Sequence, residues 1–179
     1  MRIEFTPDLG TGNAEIDRQH RELIDWCNAL NDPDSVAARE GRISHALRFV
    51  IGYVELHFAA EDRAMVAAGY PGIEPHRKGH AYFQREVAQL RQNLRSIRSA
   101  RAAALQLHHL IQDWFLQHIR QADRELAAWL RQHAPDTEVD EVEDELEALR
   151  RASGITLADL DAMEFVRAAE LPRGPRRRP

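Results

Sequence analysis

Apolar residues recur along this chain at intervals of three and four rather than two. Around DRQHRELIDWCNALN, the residues Ile16, His20, Leu23, Cys27 and Leu30 form one stripe, the spacing of a single helix face. Asp17 is the expected N-cap of this first helix. Residues 1–16, broken by Pro7, Gly10 and Gly12, read as an arm. After the turn NDPDS a long apolar helix is expected from about Val36 to Ala68, weakened at Gly41 and Gly52 and stopped by GYPG. A third begins at Glu74 or Pro75, since proline is tolerated in a first turn. Its stripe is His76, His80, Phe83, Val87, Leu90, Leu94 and Ile97. A fourth covers roughly 101–133, with Leu107, Ile111, Trp114 and His118 on one side, and ends before Pro135. Four amphipathic helices with short connections predict an all-α fold, an up-down-up-down four-helix bundle over residues 17–134.

The pattern then changes. DTEVDEVEDELEALRR is acidic, with Val139, Val142, Leu146 and Leu149 at coiled-coil-like spacing. GITLADLDAMEFVRAAEL reads as a further short amphipathic helix. Residues 135–171 are therefore expected to form an acidic helical extension, whose spacing offers a contact to a second copy (a homodimer) or to a protein partner. Residues 172–179, PRGPRRRP, are expected to be a disordered basic tail.

Composition narrows the class. With 179 residues, 44% hydrophobic and 30% charged, the chain can bury a core without disulfides. A formal charge of −5 argues against nucleic-acid binding by the body of the fold. No apolar run approaches ~18 residues, so no membrane insertion is expected. The start lacks a basic segment followed by an apolar one, and the single cysteine, Cys27, has no partner for an internal disulfide. Both lead to the expectation of a cytoplasmic protein.

The anomaly is polar. Histidines fall on the inner stripes of all four bundle helices. Residues i and i+4 project to one spot, and the chain has ligand-type residues so arranged twice, His57-x-x-x-Glu61 and His76-x-x-x-His80. His118 and Asp123 are five apart, ~140° around a regular helix. That spacing suits either an Asp reaching a second ion or a local π-bulge. His20 adds an imidazole from the first helix. One histidine on an apolar stripe is ordinarily a core residue, and His45, His108, His109 and His133 are read that way, with His109 expected to be exposed. Cys27 is read as a small buried hydrophobe, and Met65, Tyr70 and Trp129 as packing. Seven ionisable groups turned inward together are different, because each unpaired buried charge costs several kcal/mol. Five imidazoles and two carboxylates exceed what one ion takes. Two octahedral ions offer about twelve positions; with both carboxylates and an oxo or hydroxo group bridging, one position stays open.

IDRQHRELI, HFAAEDRAM, YPGIEPHRKGH followed by AYFQREVAQL, and WFLQHIRQAD resemble, in order, the four ligand segments of the hemerythrin family. The similarity runs from about Ile16 to Leu130. It implies a non-haem di-iron centre, Fe2+/Fe3+ with an oxo or hydroxo bridge, that binds dioxygen reversibly for storage, delivery or sensing. It implies that His76, His80 and His118 bind one iron, His20 and His57 the other, and that Glu61 and Asp123 bridge. The open position falls on the two-histidine iron. Leu23, Trp114 and Phe115 are the expected dry lining of the dioxygen pocket, with Phe115 standing where the family more usually has leucine. No catalytic residue is assigned. The alternative is a di-iron enzyme or sensor acting on peroxide or nitric oxide, with weak peroxidase or oxidase activity. Histidine-rich ligation disfavours the oxidative type, which takes most of its ligands from glutamate.

Overall fold

The computed structural model describes residues 2–32, 43–92, 97–140 and 142–153. Among these there is no strand. Four helices make the bundle: α1 (Ala14–Asn31), α2 (Ile43–Ala68), α3 (Ile73–Gln92) and α4, which spans 97–133. A fifth, α5 (Glu143–Ser153), packs on α2. No helix of the described residues is long and apolar enough to cross a membrane.

Local sequence explains the boundaries. Asn13, not Asp17, caps α1: its side chain accepts from the backbone N–H of Glu15 and Ile16, both at 3.1 Å. Asp17 instead takes the Thr11 N–H and hydroxyl, both at 2.8 Å, and so ties the arm to the helix. Ile3 and Leu9 of the arm are buried, so this segment completes the core. Helix α2 ends at Gly69, which has φ +62°. The N–H of Tyr70 reaches back to Met65 O at 2.9 Å and that of Gly69 to Val66 O at 3.2 Å, a Schellman stop. Ile97, expected on the α3 stripe, opens α4. Leu94 and residues 36–42 lie outside the described residues, as do 154–179 with the second predicted helix and the basic tail.

Two wide π-helical turns interrupt α4, at Ile111–Phe115 and Ile119–Asp123. In the first, the N–H of Leu116 bonds to Ile111 O, five residues back. Helix α2 is buried nearly all round, Phe49 to Val54 without a break. The bundle covers one side of it and α5 the other. A Cβ at Gly52 would run into Leu149, so the glycine is the seat on which α5 rests. Val139 and Val142 are buried, and Leu146 and Leu149 pack against the same core. The apolar positions expected to serve another chain are thus used within this one, as far as residue 153.

Candidate metal centre

The four helices bring His20, His57, Glu61, His76, His80, His118 and Asp123 together at the middle of the bundle, as two lobes sharing both carboxylates. The first lobe is built by α3 and α4. The Nε2 atoms of His76, His80 and His118 stand 3.1, 3.1 and 3.3 Å from one another. Metal–imidazole bonds of ~2.0–2.1 Å at right angles put their nitrogens ~3 Å apart, which is this triangle. The second lobe is built by α1 and α2, where His20 Nε2 lies 3.2 Å from His57 Nε2.

Each carboxylate divides its oxygens between the lobes. Glu61 Oε2 is 3.2 Å from His80 Nε2 and 3.3 Å from His76 Nε2, while Oε1 faces His57 at 3.8 Å. Asp123 Oδ1 is 3.0 Å from His118 Nε2, while Oδ2 faces His20 at 3.3 Å. The second π-helical turn makes this reach possible, since it carries Asp123 back over the face of His118 despite the spacing of five.

Several of these atoms have no hydrogen-bond partner among the described residues: His20 Nδ1, His76 Nδ1, Glu61 Oε1 and both Asp123 oxygens. Leaving such groups buried and unsatisfied is costly. Cations between the lobes would satisfy the inward-facing oxygens, so this donor set fits a pair of metal ions. Burial pushes both carboxyls up, but the surrounding imidazoles outweigh it and hold Glu61 and Asp123 below the usual carboxylate range. Burial takes His57 down to about 3, and so keeps it neutral, as a ligand must be.

The surroundings are aromatic and uneven. Phe58 stacks on His80 with centroids 3.7 Å apart, and Trp114 stacks on His118 at 4.6 Å. Phe115 meets His20 edge-on at 5.4 Å and His57 at 6.0 Å. Of the three lining residues expected from sequence, Leu23 and Phe115 are buried. Trp114 sits half-buried on the three-imidazole side, touching Phe58, Tyr82, Phe83 and His118. Gly79 lets α3 approach it: a Cβ there would come within 3.2–3.3 Å of His118 and Trp114. His20 and His57 are fully enclosed. The other lobe lies beneath a surface groove of about 320 Å³ between α2 and α3, with His80 and Phe58 in its lining and the Asp62–Arg77 ion pair beside them.

Sequence reasoning missed Gln19, which is fully buried and holds His57 Nδ1 at 2.9 Å from its Oε1. An amide on a polar-looking helix position gives no periodic signal, because its partners come from other segments. Of the histidines read as structural, His45 contacts Ser153 O at 2.9 Å, His109 is exposed, and His108 is buried beside Cys27.

Comparison with known proteins places these residues in context. The model of the hemerythrin HHE cation binding domain matches residues 11–130. A bacteriohemerythrin of Ralstonia nicotianae is 31% identical over 134 residues, 75% of this chain and 93% of the relative. One of Stenotrophomonas maltophilia is 29% identical over 131 residues, covering 73% and 83% respectively. A hemerythrin-like protein of Naegleria gruberi is 26% identical over 112 residues, 63% and 80%.

Proposed function

The chain belongs to the hemerythrin HHE cation binding family, and from that premise we propose that it holds two iron ions and binds dioxygen reversibly. His76, His80 and His118 would hold one ion, His20 and His57 the other, with Glu61 and Asp123 bridging. The observation that carries this reading is the division of each carboxylate's oxygens between a three-imidazole and a two-imidazole lobe. Unequal lobes leave the shortfall of ligands on the enclosed His20–His57 side, where a small neutral molecule can be taken up. The iron pair, when bound, supplies the electrons that dioxygen takes up and returns. The protein's own part is to orient the imidazoles, keep the carboxylates ionised, and exclude water with Leu23 and Phe115.

On this reading the chain is a binder rather than an enzyme, serving oxygen storage, transport or sensing. Its nitrogen-rich ligand set supports stopping short of oxidative chemistry. The buried thiol of Cys27 supports a reducing, cytoplasmic setting. The test is metal analysis of the purified protein with absorption spectra after anaerobic reduction and after exposure to air. We expect two irons per chain and an oxygenated spectrum that reverts on removal of oxygen. Substoichiometric metal, or steady turnover of hydrogen peroxide with a reductant in place of a reversible spectrum, overturns it.

A further inference from the structure

Among the described residues, the side chain that joins the metal centre to the C-terminal extension is Gln19. Its Nε2 lies 2.6 Å from Glu15 Oε1 and 3.2 Å from the backbone carbonyl of Asp140. Both are acceptors, so the amide can stand only one way round, with its NH2 toward them. Glu15 is firmly an acceptor: burial raises its carboxyl, but bonds from Arg18 and Gln19 outweigh that and hold it below its ordinary range. The Oε1 of Gln19 is thereby left facing His57 Nδ1 at 2.9 Å. That oxygen can only accept, so the proton of neutral His57 must sit on Nδ1. The lone pair of Nε2 is then aimed at His20 and the shared carboxylates.

We propose that the extension is a brace for the two-imidazole half of the centre: Asp140 holds Gln19, and Gln19 fixes the tautomer and orientation of His57. Asp140 is fastened from both sides. Val139 and Val142 are buried next to it, its carboxylate pairs with Arg63, and α5 beyond rests on Gly52. It also lies past residue 130, where the family match ends, so the brace is built from a segment outside that match. The three-imidazole lobe has no such link to the extension among the described residues. Docking of the extension therefore controls one half of the centre. Gln19 is a positioning residue; it does not touch the inner space itself.

The metal-related part rests on the function proposed above, whereas the tautomer does not. In the full chain, Val142→Asp puts a charge into the buried side of the extension without touching Gln19. Nitrogen-15 NMR of the metal-free protein should show His57 locked as Nδ1–H in wild type and mixed in this variant. Ferrous-loaded samples challenged with a ferrous chelator should release one of their two equivalents roughly 10–100-fold more readily in the variant, the other unchanged. Leu149→Glu, at the half-buried far end of α5, gives the same readouts should Val142→Asp not fold. Gln19→Leu, which removes both the acceptor facing His57 and the NH2 held by Glu15 and Asp140, should also free the tautomer. An unchanged His57 tautomer and unchanged release in the extension variants overturn the proposal, even where Gln19→Leu has an effect. Should wild type hold fewer than two ferrous ions, the proposed function falls while the tautomer comparison still decides the brace.

Discussion

Phe115 is enclosed and set edge-on to both His20 and His57, so its ring occupies the space beside the half of the centre that lacks a third imidazole. Replacing it with leucine removes the flat edge and several carbons without adding polarity, which leaves a cavity in a close-packed region. A roomier pocket admits water more readily, and water favours irreversible oxidation over release of oxygen. On the function proposed above, Phe115→Leu should therefore lose an oxygenated spectrum faster than wild type on standing in air; an equal rate shows that the ring does not guard this space. The convergence of five histidines with Glu61 and Asp123 was legible at this scale, because ionisable groups repeated at helical spacing on apolar stripes are too costly to bury unless they share a common purpose. The lining was legible only in part. Of the expected residues, Leu23 and Phe115 lie inside, while Trp114 stacks on His118 at the groove side. Neighbours on a helix point ~100° apart, so Trp114 and Phe115 face different parts of the centre.

Elements were legible where punctuation was strong. GYPG marked the end of α2, and the structure gives its reason in Gly69, whose φ of +62° closes the Schellman stop. A Cβ at this position would meet nothing within 4 Å, so the cost of Gly69→Ala is backbone strain alone, ~1–2 kcal/mol. For a chain of this size that lowers the melting temperature by roughly 2–8 °C, measurable by thermal denaturation of the metal-free protein. A change within error would mean that the turn opens to another conformation. Where punctuation was weak, boundaries moved. Asp17 has the chemistry of a cap but is used to bind Thr11 and the arm, while Asn13 starts the helix. Ile97 continues the spacing of the α3 stripe but opens the next helix, so periodicity alone had no reason to stop before it. The five-residue interval from His118 to Asp123 was readable as an irregularity, with the wide turn as one of its two readings.

At the scale of the whole molecule, the polar interior and the all-round burial of α2 are linked. A bundle that gives its centre to ionisable groups has less hydrocarbon there, and α5 adds apolar contact on the outer side of α2 through Val142, Leu146 and Leu149. That addition does not satisfy the middle. Glu61 and Asp123 are fully buried as carboxylates with oxygens lacking hydrogen-bond donors, and uncompensated buried charge is among the costliest features a fold can hold. Cations bound in the folded state and released from the unfolded one stabilise the fold by mass action, ~2.7 kcal/mol for each site at a hundredfold excess over its dissociation constant. Two such sites correspond to a rise of roughly 10–20 °C in melting temperature for a chain of this length. The measurement is a thermal melt of chelator-treated protein against the same sample reloaded anaerobically with ferrous ion. The upward shift should grow with free metal concentration and vanish in Glu61→Ala/Asp123→Ala, where the oxygens shared between the lobes are gone. Identical melts with and without metal in the unmutated chain would mean that the seven side chains satisfy one another, and that the centre of this bundle is polar for some reason other than holding cations.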